Sequence, residues 1–245
     1  MVSYALKIQP SDKVKVTAEI INNSTSDLII FSGNTLDTIA DILKLEGLIK
    51  NKKTTALIEI SQIPIRDFNT EIINCPFLIE KGKLVNLHTF QHFATSNSIK
   101  NNRLLAEAFV NELETRRQFN VKGYNCLILQ CGENNILKNN QSNDNNVVVR
   151  IDDKSLVRRF IQVLNRVDII LNIIHQPQYG NQNKLHKRRE YFSQNNRVYL
   201  STNNCRRLSP NAKSIQYIYR NGVMVDCPKP IMDNNGRYMY RLLEL

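Results

Sequence analysis

The sequence predicts an α+β fold of mostly antiparallel sheets, with about three helices and a C-terminal β-meander. Short runs that alternate apolar and polar residues indicate half-buried strands. Three segments carry apolar residues at helical spacing. Near the C-terminus an Asn-Gly dipeptide separates two strand-like runs, which is typical of a β-hairpin. Helices inserted among such strands favour the α+β class.

The first third predicts strands around one helix. Alternating apolar residues indicate strands at 2–8 and 14–20, and Pro10-Ser11-Asp12 between them is turn chemistry. A helix is predicted at about 35–46, because its apolar stripe ends at Gly47. The other predicted strands in this third are 27–31, 54–60, 70–79 and 84–90.

The remaining residues predict two longer helices and the meander. Helices are expected at about 101–117 and 154–171, the second opened by Asp152 and Asp153, which complement the helix dipole. A polar loop is expected at 176–195. The meander would use strands at 197–200, 215–219, 223–226 and 237–243, with the hairpin turn at Asn221-Gly222.

Charge divides the chain into two parts. Of the net +11, residues 1–100 contribute only +1, and the rest is concentrated in an arginine-rich second half. Residues 132–147 are rich in asparagine and long for a connection, which favours a loop or linker. We therefore predict a near-neutral part at 1–131 and an arginine-rich part at 148–245, with one continuous domain as the alternative.

The arginine excess predicts a polyanion partner. Guanidinium groups grip phosphate with two parallel hydrogen bonds and stack on bases. We therefore predict a nucleic-acid-binding protein, RNA- or DNA-binding, that is not an enzyme. The residues expected to bind nucleic acid are Arg158, Arg159, Arg166, Lys184, Lys187, Arg188, Arg189, Tyr191, Arg206, Arg207 and Arg220.

Two alternatives stay open at this stage. The charge could instead meet an acidic surface in a viral or organellar assembly, where the protein would be a structural subunit. The chain could also be a nuclease or phosphotransfer enzyme that lacks a readable motif. The 32 Asn residues against 8 Gly indicate an A/T-rich genome.

The sequence argues against a secreted or membrane protein. Five cysteines, an odd number without a C-x-x-C pair, favour an intracellular, reducing compartment. No apolar run approaches the roughly 18 residues of a membrane helix. The expected partners are therefore nucleic acid, another polyanion or proteins of an assembly, and no membrane.

No catalytic residue can be assigned from motifs. Glycine-rich phosphate loops and the G-x-S-x-G signature are absent, so no cofactor is expected. Cys126 and Cys131 are too far apart for a zinc pair, so no metal is expected either. Glu59 lies on a predicted strand, but Ser61 stands where a nuclease would need lysine. A metal-independent nuclease could use a His, a Tyr and a Lys. The chain offers these types at His175, His186, Lys187 and Tyr191, but their spacing is not specific.

Overall fold

A computed structural model describes residues 1–5, 8, 10–61, 74–139, 147–175, 182–204, 208 and 215–244. Within these ranges six α-helices form: α1 (Pro10–Asn22), α2 (Ile39–Leu48), α3 (Ser96–Ile99), α4 (Arg103–Thr115), α5 (Lys154–Leu164) and α6 (Gln182–Phe192). A 3₁₀ turn covers Glu133–Ile136.

The same ranges contain fifteen strands. They are β1 (Val2–Tyr4), β2 (Leu28–Ile30), β3 (Thr55–Ile60), β4 (Cys75–Glu80), β5 (Lys83–Asn86), β6 (Gln118–Val121), β7 (Tyr124–Leu129), β8 (Leu137–Asn139), β9 (Val147–Val149), β10 (Ile169–Ile174), β11 (Val198–Asn203), β12 (Gln216–Arg220), β13 (Val223–Val225), β14 (Ile231–Met232) and β15 (Tyr238–Tyr240).

The strands form four sheets. The largest has the order β13-β12-β11-β10-β7-β6, and β10 runs parallel to both β7 and β11. A second sheet has the order β2-β3-β4-β5, with β2 parallel to β3. The three-stranded sheet β1-β15-β14 continues the second one through a bridge between Val2 and Phe31. Strands β8 and β9 form a small separate hairpin.

Three apolar clusters show how the layers stack. One cluster lies between the two large sheets and joins residues such as Leu57 of β3 to Ile128 of β7 and Leu171 of β10. Another packs α1 and α2 on the outer face of the β2–β5 sheet. The last packs α4, α5 and α6 on the outer face of the six-stranded sheet. The result is a helix–sheet–sheet–helix sandwich.

Helix α1 replaces a predicted strand. The alternation of Val14, Val16, Ala18 and Ile20 suggested period two, but a second pattern lies in the same residues. Val14, Thr17, Ala18 and Ile21 repeat at i, i+3, i+4 and i+7, and all four are buried. The prediction of a strand was therefore wrong, because a helical face also fits this sequence.

Helix α6 replaces a predicted loop. Its mean hydropathy is low, so no apolar stripe marks it, yet Leu185, Arg188, Arg189 and Phe192 are buried at helical spacing. Two of the four buried residues are arginines. The guanidinium groups occupy core-facing positions that sequence patterns assign to apolar side chains.

The predicted architecture needs correction as a whole. The protein is α+β, but six helices form where about three were predicted, and β7, β10 and β11 are parallel. The C-terminal strands do not make one meander, because β11 to β13 join the six-stranded sheet and β14 and β15 join β1. The cause is that the long-range pairing of β1 with β15 has no local sequence signal.

Other local predictions are confirmed. Helix α4 falls within the predicted 101–117, and the hairpin between β12 and β13 turns at Asn221 and Gly222, both with positive φ. The expected linker 132–147 contains the 3₁₀ turn, β8 and the first residue of β9, while 140–146 lie outside the described residues. The division into two charge-distinct parts stays a prediction.

A membrane-spanning helix is not found: none of the helices in the described ranges combines enough length with enough apolar character to cross a bilayer.

The layered core predicts a contrast between adjacent residues of α5. Phe160 is fully buried against the six-stranded sheet, whereas Ile161 is 38% exposed on the outer side. We expect Phe160→Ala to lower the free energy of unfolding by about 3–5 kcal/mol through a cavity. Ile161→Ala should change it by about 1 kcal/mol or less. Urea denaturation measures both, and equal losses would contradict the packing of α5.

Candidate active site

Three potentially reactive side chains come together at one end of the sandwich. Strands β7 and β10 are parallel neighbours, so their carboxyl ends meet at the same edge, with Leu129 opposite Asn172. Cys131 follows β7 by two residues, and His175 immediately follows β10. Glu59 belongs to β3 of the opposing sheet and shares with Leu57 the face that packs between the sheets.

Glu59 is a buried carboxylate with several hydrogen-bond donors. Its side chain is 0% exposed, and its Oε1 lies 2.6 Å from His175 Nε2. The same oxygen accepts from the Asn34 backbone N–H at 3.0 Å, and Oε2 accepts from the Gln130 side-chain amide at 3.0 Å. These donors compensate for its desolvation and fix its orientation.

His175 lies between Glu59 and Cys131. Burial alone would lower the pKa of the imidazole, but interactions with the Cys131 sulfur and the Glu59 carboxylate outweigh it and raise the pKa from 6.5 to about 10. His175 therefore holds its charge through the neutral pH range. The Cys131 thiol is free and partly exposed, so a ligand can reach it.

Glycine at position 33 makes room for the imidazole. A Cβ at this position would lie 2.2 Å from His175 Cδ2 and 3.0 Å from Glu59 Oε1. The Gly33 N–H also donates to the Ile174 carbonyl at 3.0 Å, which ties this loop to the residue before His175. The close packing of the backbone and the ring therefore requires glycine here.

The turn that follows Cys131 depends on a second glycine. Gly132 has φ of 86°, in the left-handed region, and a Cβ there would lie 2.5 Å from the Ala94 carbonyl oxygen. Any larger residue would strain the backbone and collide with the neighbouring loop.

A buried ion pair supports the same turn. Arg117 and Glu133 are both 0% exposed, and the guanidinium contacts both carboxylate oxygens. Glu133 also accepts from the Gln130 N–H at 2.8 Å and the His92 N–H at 2.9 Å. Glu133 thus fixes the backbone of Gln130, the residue before Cys131, through a carboxylate that Arg117 neutralises. Removal of either partner of the pair would leave a buried charge unpaired.

The arrangement of thiol, imidazole and carboxylate suits nucleophilic catalysis. A nucleophile beside a base that is oriented by a third group is the general pattern of activated cysteine and serine enzymes. In the described ranges no group of three or more His, Cys, Asp or Glu side chains is placed to hold a metal ion.

Comparisons with known proteins identify the fold. Neither a protein-family model nor a curated protein matches the sequence. Solved structures do match: a carbon–nitrogen hydrolase from Helicobacter pylori G27 has a TM-score of 0.57 at 9% identity, over 98% of this chain and 86% of that one. The NitN amidase from Nesterenkonia sp. AN1 has 0.55 at 9%, over 99% and 90%. XC1258 from Xanthomonas campestris, a CN-hydrolase superfamily protein, has 0.52 at 10%, over 91% and 83%. The chain has the CN-hydrolase fold.

This likeness overturns the predicted function. The structures that share the CN-hydrolase fold with this chain are amidases and related hydrolases, so the prediction of a nucleic-acid-binding or viral protein was wrong. The alternatives of an assembly subunit and of a nuclease or phosphotransfer enzyme do not match these neighbours either. The error came from reading arginine-rich composition as a solvent-facing surface.

The CN-hydrolase fold distributes the predicted arginine-rich surface among different environments. Arg188 and Arg189 are buried, and Arg189 stacks on the Tyr217 ring at 3.8 Å. Two others are paired, Arg159 with Glu114 and Lys187 with Glu190, the latter at 3.1 Å. Tyr191 is partly buried and packs against the apolar cluster between α4, α5, α6 and the six-stranded sheet. Arg158, Arg166, Lys184 and Arg220 are exposed, and Arg206 and Arg207 lie outside the described residues.

The residues that the fold does bring together were each visible in the sequence. Glu59, Cys131 and His175 were considered for three different chemistries and never as a group. Glu59 and His175 are separated by 116 positions along the chain. Only the parallel pairing of β7 with β10 and the packing of the two sheets bring the three residues together. A polar residue directly after a buried strand was the available signal.

The space around Gly33 yields a prediction. We expect Gly33→Ala to push the His175 ring away from Glu59, to slow alkylation of Cys131 by iodoacetamide about tenfold or more, and to cost about 1–3 kcal/mol of stability. Gly47→Ala is the control, since a Cβ there meets nothing within 4 Å and alanine favours the helix by up to about 1 kcal/mol. If Gly33→Ala alkylates at the wild-type rate, the proposed contact is wrong.

The raised pKa of His175 predicts a pH-dependent stability. Because the folded pKa of about 10 exceeds the ordinary 6.5, the charged imidazole stabilises the fold fully below pH 6.5. This contribution is lost as the pH rises from about 6.5 to about 10. We expect the stability advantage of wild type over His175→Gln, measured by urea denaturation, to shrink across that range. The exposed His88→Gln variant serves as control, and a constant advantage would refute the assignment.

Proposed function

We propose that the protein is a cysteine hydrolase that cleaves the carbon–nitrogen bond of amides. Cys131 is the nucleophile, His175 the acid and base, and Glu59 the group that orients His175. The position of His175 between the Cys131 thiol and the buried Glu59 carboxylate is the observation that carries this proposal.

The first half of the reaction forms a thioester. The proton of the Cys131 thiol already resides on the charged His175, and Cys131 Sγ bonds to the amide carbonyl carbon. His175 then gives this proton to the amide nitrogen, the C–N bond breaks, and the amine leaves. Glu59 keeps its contact with His175 Nε2 throughout and orients the imidazole ring.

The second half releases the acid. Water enters the position left by the amine and gives one proton to His175 as its oxygen bonds to the thioester carbon. The C–S bond then breaks, Cys131 Sγ is released while the proton stays on His175, and a carboxylic acid leaves. One amide and one water are thus converted into one amine and one acid.

The chemistry of the structural neighbours supports this class of reaction. One Nesterenkonia amidase structure is described with the acetamide moiety of fluoroacetamide covalently added at its active-site cysteine, at a TM-score of 0.53 and 8% identity. Another is a complex with acrylamide. At such low identity the neighbours suggest the reaction class, whereas the choice of residues rests on the geometry of this chain.

Replacement of the nucleophile tests the proposal. Purified protein is assayed against a panel of small aliphatic amides by ammonia release, and Cys131→Ala is expected to lower the rate by about 10³-fold or more. Cys227→Ala, which removes another partly buried free thiol, should keep wild-type activity. Mass spectrometry after brief treatment with iodoacetamide should find the label on Cys131 first.

Two results would overturn the assignment. One is hydrolysis by Cys131→Ala at the wild-type rate. The other is Cys131 labelling at the rate of Cys227, since a thiol next to a charged imidazole reacts faster than an isolated one.

A further inference from the structure

Two arginines from separate elements converge on a single asparagine. Arg188 of α6 donates from Nη1 to the Asn135 side-chain oxygen at 2.7 Å. Arg150, just after β9, donates from Nε to the Asn135 backbone carbonyl at 2.8 Å. Asn135 in turn donates from its amide to the Ala94 carbonyl at 3.0 Å, so the residue that gathers the two cations is itself fixed.

Among the described residues this pair of cations has no counter-charge. Arg188 is 7% exposed, and its Nε is buried without a hydrogen-bond partner. Burial and the charge of Arg150 lower the pKa of Arg188 to about 10, and burial lowers the pKa of Arg150. Within the described part of the chain, no carboxylate forms an ion pair with either guanidinium.

Two other buried arginines have their guanidinium groups satisfied in different ways. Arg117 is neutralised by Glu133, and Arg197 donates to the Phe192 and Leu164 carbonyls. A buried guanidinium next to a second one destabilises the fold unless an anion neutralises it. The arrangement at Asn135 therefore has the character of a binding site for an anion.

The asparagine that binds the two arginines is close to Cys131 along the chain. Asn135 is in the 3₁₀ turn that begins just after Cys131, and such a turn advances about 2 Å per residue, which places Asn135 within about 10 Å of Cys131. A cavity of about 10 Å³, room for about one water molecule, lies next to this turn, and neither arginine lines it. It is lined by Gly132, Asn134, Asn135, Asn172, Ile174 and Leu185. Gly132 follows Cys131, Ile174 precedes His175, and Leu185 lies one helical turn before Arg188.

We propose that Arg150 and Arg188 bind an anionic group of the substrate, so that the substrate is an amide with a carboxylate or phosphate a few bonds from the scissile C–N bond. Guanidinium groups bind both oxyanions through paired hydrogen bonds. This inference rests on the proposed function, since it takes Cys131 as the reacting group, but its test does not require turnover.

Ligand-dependent unfolding of Cys131→Ala provides that test. Its melting temperature is measured with succinamate, which carries a carboxylate, with its neutral analogue butanamide, and with inorganic phosphate. Succinamate or phosphate should raise the melting temperature and butanamide should not. The comparison of succinamate with phosphate identifies which oxyanion the site prefers. Equal shifts with succinamate and butanamide, or no shift with either anion, would overturn the proposal.

Variants of the two arginines test whether these residues cause the anion-dependent rise in melting temperature. Arg188→Met in the same background should raise the concentration of anion needed for half of the shift by about 10- to 100-fold. Arg158→Met, at an exposed position of α5, is the matched control and should leave it unchanged. If Arg188→Met does not fold, Arg150→Gln, at a half-buried position, replaces it. Unchanged anion binding in the arginine variant would refute the site.

Turnover separates this inference from the proposed function. If wild type hydrolyses butanamide as efficiently as succinamate, the anion site is wrong and the hydrolase stands. If succinamate stabilises the protein through Arg188 but no amide is hydrolysed, the anion site stands and the reaction is wrong.

Discussion

The buried carboxylate of Glu59 is the constraint on which the candidate site depends. A carboxylate at the interface of two sheets is costly unless donors surround it, and its donors come from three separate segments. His175 and Gln130 both belong to ends of the six-stranded sheet, whereas Glu59 belongs to the opposing one. The stacking of the two sheets and the geometry of the site are therefore determined together.

Five arginines of the described residues are buried inside the fold. Arg117 holds the turn after Cys131 through Glu133, and Arg197 joins the carbonyls at the ends of α5 and α6. Arg189 stacks on Tyr217 beneath α6. Because guanidinium offers five donors on a flat group, it satisfies buried carbonyls and carboxylates that lysine could not serve as well. Composition counts these groups as surface charge, and the structure shows why that count misleads.

The sequence predicted what local forces determine. Helix α4 has an apolar stripe, and Asn221-Gly222 accepts the positive φ of a tight hairpin, so both could be read from a few neighbouring residues. Helix α1 was misread because its apolar residues fit two periods. The site could not be predicted from the sequence, because Glu59 and His175 meet only through the pairing and packing of distant strands. The close approach of Gly33 to His175 likewise produces no recognisable sequence pattern.

The 3₁₀ turn after Cys131 combines several features that each reduce stability. Gly132 takes a conformation that other residues adopt with strain, Glu133 is buried as an ion, and Asn135 holds two cations close together. Glycine removes the first cost because it adopts this conformation without strain, and Arg117 neutralises the second. The third has no compensation within the described residues. Uncompensated cost four residues from the candidate nucleophile is the pattern expected where a ligand supplies the missing charge, because binding sites are selected for affinity at the expense of the empty fold.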